Sequence, residues 1–243
     1  MSNAPISVRS VAKSYGANAA LKDATFDLKE GEIFGLIGLN GAGKTTLIKV
    51  LLDLIRADSG EASIFGLRAA TVAARQKLSY LPEKFHPSRY LTGWEFLTLS
   101  AAYFHQTLDR ARVEKLVASL DLDPGVLKRR VGTYSKGMGQ KLGLAGAMAI
   151  DVPLLLLDEP MSGLDPRARV RLKDAMLAAR ASGRTIFFSS HILSDVDELC
   201  DRIAVMHEGI IRYVGPPQEF KTKWGGESLE RSFLKLLEAK LVA

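Results

Sequence analysis

Cysteine is nearly missing from this 243-residue chain, in which Cys200 is the single one. One thiol makes no intramolecular disulfide and no cysteine-based zinc cluster, and such scarcity fits a reducing cytoplasm. Histidine is also sparse: His86, His105 and His207 lack partners at metal-ligand spacing, so they read as structural or exposed. No apolar run approaches the roughly 20 residues that span a bilayer, so any membrane role must come through a partner. Met1–Ser10 has no apolar segment of the secretory type, and no secretory signal is expected. Internal repeats, low-complexity stretches and long linkers are lacking too, which points to one domain. The 47% hydrophobic content suffices for a sizeable core. A net charge of +6 suits anionic partners (nucleotide, nucleic acid or an acidic membrane face) and equally suits ordinary solubility. Charge alone does not choose among them.

What is present centres on Gly38, Leu39, Asn40, Gly41, Ala42, Gly43, Lys44, Thr45 and Thr46. The stretch follows the apolar run 32–38 and opens into the apolar segment 47–55, giving the order strand, glycine-rich turn, helix. That is the context of a phosphate-binding P-loop. Gly38, Gly41 and Gly43 permit backbone conformations that let successive N–H groups converge on one anion. The helix start near Lys44 adds partial positive charge, Lys44 adds a full one, and the Thr45 hydroxyl is placed to ligate magnesium.

Around this motif the pattern alternates. Residues 6–11 and 24–28 read as half-buried strands, with a break at Lys13–Gly16 between them. Short strands follow at 61–65 and 78–81, the latter stopped by Pro82. From about Phe85 to Asp151 the texture is helical. Thr92 and Glu95 have capping-box spacing for a helix to about Phe104, and a second helix spans Asp109–Leu120. Ser135 N-caps a third that runs to Ile150 despite Gly137, Gly139, Gly143 and Gly146, each costing up to ~1 kcal/mol relative to alanine. Such small residues imply that backbone approaches something closely.

Strand texture returns at 154–157 and 185–189, separated by a helix that starts at Asp165–Pro166 and runs to about Arg180. A short acidic helix from Ser194, a hairpin about Glu208–Gly209 and an amphipathic helix from Ser228 to Leu241 complete the chain. The whole reads as one α/β domain over residues 5–243, with a mainly parallel sheet around the P-loop and an N-terminal antiparallel region. Its core lobe covers about 5–84 and 152–225, the inserted helical subdomain about 85–151, and the C-terminal helix about 227–241.

Asp158 and Glu159 stand where the apolar run 154–157 ends, the edge of an α/β sheet at which ligands sit. Asp158 is suited to hold magnesium, and Glu159 to polarise a water for attack on a γ-phosphate.

The P-loop, Tyr134–Met138, Leu154–Glu159, Ser162–Asp165 and His191 occur in the order of an ATP-binding-cassette (ABC) nucleotide-binding domain, which the whole chain resembles. The resemblance implies ATP and magnesium as ligands and Mg-dependent ATP hydrolysis as the activity. It places Tyr15 on the adenine ring, makes Glu159 the catalytic base, and has His191 contact the γ-phosphate. Ser135, Lys136, Gly137 and Met138 form the family signature, which meets the nucleotide of the opposite subunit. Ser162, Gly163, Leu164 and Asp165 cross the dimer interface. The signature also has a direct reading, since Ser135 opens a second helix N-terminus suited to an anion.

Two residues depart from the usual pattern. Glu83 replaces the customary glutamine, keeping an oxygen for magnesium but adding a third carboxylate beside Asp158 and Glu159. Lys136 and Met138 replace glycine and glutamine; Lys136 either adds a cation near the trans phosphate or points to solvent. Both departures resemble the branch serving ABC-2-type exporters. The implied partners are two membrane subunits and a second ATPase subunit, identical or similar, at the inner face of the cell membrane. Alternatives are a soluble cassette ATPase acting on ribosomes or DNA, or an importer ATPase. The former usually carries two cassettes or a long coiled-coil insertion, and no specific nucleic acid is expected. No Asn-Lys-x-Asp motif for guanine occurs. Phe85, Tyr90, Trp94, Phe96, Tyr103 and Phe104 crowd where the resemblance puts the groove for a membrane partner; some pack the helical lobe and one or two are exposed anchors. Lys128–Arg130 reads as a solvated face.

Overall fold

A computed structural model describes residues 3–239. β1 (Ser7–Tyr15) and β2 (Asn18–Asp27) form an antiparallel hairpin, so the first strand continues through Lys13 and Ser14 instead of breaking there. A distant carboxylate is the reason: Asp58 accepts from Lys13 Nζ and from the Ser14 N–H, each at 2.7 Å. β3 (Ile33–Ile37) leads into α1 (Lys44–Leu51), which stops short of Ile55 because Asp53 turns to φ +57°. β4 (Ser59–Ile64), a two-residue β5 (Leu67–Arg68), α2 (Val72–Arg75) and β6 (Leu78–Leu81) follow.

The helical block lies between β6 and the next strand. α3 (Gly93–Ala102) opens on the expected capping box: Thr92 Oγ1 accepts the Glu95 N–H at 3.2 Å, and Glu95 Oε2 accepts the Thr92 N–H at 2.7 Å. α4 (Arg110–Ser119) is capped by Asp109 and α5 (Lys136–Ala149) by Ser135. The glycines of α5 divide into two kinds. A Cβ on Gly143 would stand 2.8 Å from Leu81 and Phe85, and one on Gly146 3.0 Å from Phe96, so these two allow close packing within the chain. Gly137 and Gly139 have nothing within 4 Å of such a carbon.

β7 (Leu154–Asp158), α6 (Pro166–Ala181), β8 (Thr185–Ser190), α7 (Leu193–Leu199), β9 (Arg202–His207) and β10 (Ile210–Gly215) complete the core. α8 (Pro217–Trp224) is an addition to the sequence reading: two prolines suggest a break, yet Pro217 sits at the first turn, where its missing N–H costs nothing. α9 (Leu229–Glu238) is capped by Ser228; Leu241, expected as its end, lies outside the described residues.

The ten strands form one sheet in the order β5-β4-β1-β2-β10-β9-β3-β8-β7-β6. From β9 to β6 the neighbours are parallel, and from β5 to β2 antiparallel. β3, β7 and β8 are buried at every position, as continuous apolar strands covered on both faces must be. On one face Phe26, Phe34 and Phe187 stack with centroids 5.5–6.1 Å apart beneath α1. On the other, Ile33, Leu155 and Phe188 join a core that continues into the helical block through Leu97, Val117 and Leu142.

Candidate nucleotide site

A cleft of about 870 Å³ opens at the carboxyl edge of the parallel strands. One wall is the glycine-rich loop and α1, from Leu39 to Thr46. Within the loop, Gly43 has φ +110°, and a Cβ there would lie 2.5 Å from the Ala20 carbonyl oxygen. Gly38 is equally tight against the Met206 carbonyl, also at 2.5 Å. Gly38 and Ala42 therefore support the loop from behind rather than lining the cleft. The β9–β10 turn fixes the loop from below: the Gly209 N–H donates to the Ala42 carbonyl at 3.0 Å, and the Gly209 carbonyl accepts the Lys22 N–H at 2.8 Å.

Lys44 is buried. Its Nζ donates to the Gly38 carbonyl at 2.8 Å and stands 3.5 Å from Glu159 Oε1. Glu159 follows β7 with φ +49°, a backbone conformation that costs a non-glycine residue about 1–3 kcal/mol. Surrounding bonds hold it there. Its N–H donates to Ser189 Oγ at 2.9 Å, and its Oε2 lies 2.8 Å from His191 Nδ1. Ser189 Oγ in turn donates to Asp158 Oδ1 at 2.5 Å. One β8 hydroxyl thus ties the carboxyl residue that ends β7 to the one that follows it, and the Glu159 carboxylate joins the first lysine of α1 to the histidine after β8.

Burial raises the Asp158 pKa; the Ser189 hydrogen bond opposes this, Glu159 and Glu83 push it further up, and Lys44 pulls it back. Tyr80, beneath them, is pushed up to about 12 by burial and then by Asp158 and Glu83. Repelling carboxylates in one corner are a donor set that a hard divalent cation relieves. Among the described residues no three acidic or histidine side chains cage a metal by themselves. Thr45 and Glu83 line the cleft, and buried Asp158 lies behind it at the end of β7.

The far end of the cleft is formed by half-exposed Tyr15, with Asn18–Ala20, Lys22 and Glu208. Lys13 Nζ lies 5.9 Å from the Tyr15 ring centroid. Glu83, Glu159, Ser162 and His191 line the opposite end.

None of Ser135, Lys136, Gly137 and Met138 lines this cleft among the described residues. Ser135 Oγ accepts the Met138 N–H at 3.2 Å, which caps α5, and both Ser135 and Lys136 are exposed. Lys136 Nζ lies 3.7 Å from where a Gly163 Cβ would be, beside the Ser162–Asp165 turn of its own chain. In that turn Leu164 is buried in the chain's own core, while Asp165 Oδ1 accepts the Ala168 N–H at 2.9 Å and caps α6.

A family profile described as ABC transporter matches residues 21–162, more than half of the chain. The chain belongs to the ABC transporter family. It is 44% identical over 193 residues to an uncharacterized ABC transporter ATP-binding protein of Nostoc sp., covering 78% of this chain and 58% of that one. It is 39% identical to the Nod factor export ATP-binding protein I of Burkholderia orbicola, over 86% of this chain and 70% of the relative. A solved ATP-binding subunit of an ABC transporter superposes with a TM-score of 0.89 at 33% identity, covering 96% of this chain and 99% of that one. The chain thus spans little more than half the length of the Nostoc relative.

Ser189 is the residue of this ABC protein that sequence reasoning passed over. Ser189, Ser190 and His191 form a polar triplet directly after the apolar run 186–188 of β8, the same signal that singled out Asp158 and Glu159. The turn at Glu208–Gly209 was legible as a hairpin but not as a support of the P-loop.

Proposed function

We propose that this chain is the ATP-hydrolysing subunit of an ABC exporter, working as a pair of cassettes on separate membrane subunits. The observation that carries the proposal is the placement of two helix N-termini. The start of α1 lines the cleft, whereas the start of α5 lies outside it, with open space beyond Gly137 and Gly139. A second copy, or a similar subunit, that brings its α5 to this cleft completes the grip on the phosphates from both sides. Residues 5–243 then act as one cassette with the helical insertion at 85–151.

In this reading Lys44 and the loop amides bind the β- and γ-phosphates, Tyr15 carries the adenine, and Thr45, Asp158 and Glu83 hold magnesium. The metal, when bound, neutralises charge on the phosphate oxygens. Glu159 takes the proton of the attacking water as its oxygen bonds to the γ-phosphorus and the bond to the β–γ bridging oxygen breaks. ADP and phosphate leave. His191 steadies the Glu159 carboxylate and reaches the γ-phosphate side of the cleft.

An apolar groove of about 340 Å³ between Leu81, Phe85, Phe96, Tyr103 and Phe104 supports docking of a membrane subunit. Phe85 and Phe96 pack edge to face at 5.4 Å and belong to the lobe, while Tyr103 is 75% exposed. No helix among the described residues is long and apolar enough to cross a membrane; the proposed place on the cytoplasmic face is reached through that partner. The export assignment draws on the relative named for Nod factor export and on Glu83, Lys136 and Met138.

Ser135→Asp tests the paired site. Aspartate keeps the N-cap but adds a negative charge toward the partner's phosphates, so nucleotide binding to a single subunit is unchanged and hydrolysis falls by about 10²-fold or more. Undiminished hydrolysis by this variant would remove the second N-terminus from the mechanism. Glu83→Gln is expected to shift the magnesium dependence of hydrolysis more than the affinity for ATP. Superimposable metal titrations for variant and wild type would show that Glu83 is no ligand.

A further inference from the structure

We propose that a basic rim at the N-terminal end of α3 binds the anionic headgroups of a membrane surface. The rim is assembled from two distant segments. The Val131 N–H donates to the Leu91 carbonyl at 2.8 Å, the Gly132 N–H to Arg89 at 3.1 Å, and the Gly93 N–H to Arg129 at 3.2 Å. This pairing sets Arg89 and Tyr90 against Lys128, Arg129 and Arg130, and all five are exposed, Tyr90 at 85%.

Among the described residues the rim's cations are not ion-paired, although Arg130 stands near enough to Glu95 to add to the Thr92 hydrogen bonds that hold that carboxyl below its usual range. Arg110, Arg167, Arg180, Arg202 and Arg231 each have a carboxylate within 4.0 Å, whereas none of the rim's four cations does among the described residues. The neighbouring acids are engaged in caps: Glu95 accepts from Thr92, and Asp123 from the Gly125 N–H at 2.9 Å. Arg129 Nη2 is held by the Thr133 carbonyl and hydroxyl at 3.4 and 3.3 Å, contacts that leave its charge unneutralised. Four clustered basic side chains are the composition that anionic leaflets attract, and an exposed tyrosine is at home in the headgroup layer.

Continuity selects a membrane over nucleic acid. α3 has ten residues, about 15 Å, and its C-terminal end carries Tyr103 at the groove assigned above to the membrane subunit. A partner seated in that groove brings the bilayer's inner surface toward the rim. The inference rests on the exporter reading in this respect only, and the two are measured separately.

The test is flotation of the full chain with vesicles of phosphatidylcholine alone or mixed with phosphatidylglycerol, beside a duplex DNA fragment of equal phosphate content. The chain is expected to float with the mixed vesicles, to stay behind with the neutral ones, and to be released at about 0.5 M salt. Arg89→Gln and Arg130→Gln each weaken partition roughly fivefold. The variant with all four cations changed to glutamine no longer floats, while its ATP hydrolysis is that of the wild type. Equal partition to both vesicles, single variants that float like wild type, or tighter binding to DNA than to mixed vesicles overturns the proposal. Capture of a membrane subunit through the Tyr103 groove, with flotation failing, would leave the exporter reading standing and this one refuted.

Discussion

Glu159→Gln slows ATP hydrolysis by about 10²–10⁴-fold while nucleotide binding is retained or tightened. The two parts have separate origins. Glutamine matches the volume of a side chain only 7% exposed and leaves the Ser189 bond to the residue 159 N–H in place, so the turn after β7 persists. It removes the basic oxygen that would take the water's proton. It also removes the negative charge 3.5 Å from Lys44 Nζ, which frees the ammonium for phosphate. In the proposed pair, where cleavage opens the site, a subunit that binds and does not cleave accumulates as a nucleotide-bound dimer. Phosphate release and light scattering with and without ATP read the two effects. Wild-type turnover in the variant would show that Glu159 is not the base, and a monomer at saturating ATP would contradict the paired site.

Gly43→Ala destabilises the nucleotide-free protein by about 2–4 kcal/mol and abolishes measurable ATP binding. A methyl group here faces two obstacles: φ +110° is unfavourable for alanine, and the Ala20 carbonyl would lie 2.5 Å away. The atom in the way is backbone of β2, not the end of a flexible side chain, so either the loop or the strand must move. Gly41→Ala separates the two causes. Gly41 has φ +83° with nothing within 4 Å, so its substitution carries only the conformational cost of about 1–2 kcal/mol. Thermal unfolding and nucleotide titration of both variants, side by side, check this. Equal losses would mean that contact with β2 does not shape the loop.

Several elements were legible because their determinants are local. The β3–loop–α1 unit, the Thr92–Glu95 box, the Ser135 and Asp165 caps and the Glu208–Gly209 turn each depend on residues within a few positions of one another. The parallel core followed from apolar runs of strand length alternating with helices. What escaped was set across the fold. Nothing near Lys13 announces Asp58, and nothing near Ala42 announces Gly209. Nothing in the short turn around Leu164 announces that its apolar side chain joins the core. Ser189 carries an ordinary strand-end hydroxyl until Asp158 and Glu159 come to rest beside it.

β3 shows what this long-range dependence entails. Both of its sheet neighbours, β8 and β9, come from residues 185–207, and the loop that follows it rests on Gly209. During synthesis the phosphate loop leaves the ribosome early, with neither flanking strand yet made. Some 140 further residues must be added before β8 arrives. Until then an apolar strand stands with both edges bare, a target for chaperones and for mispairing with another nascent chain. A message truncated before residue 209 would therefore yield a product that contains every residue from Gly38 to Thr46 and cannot hold them in shape.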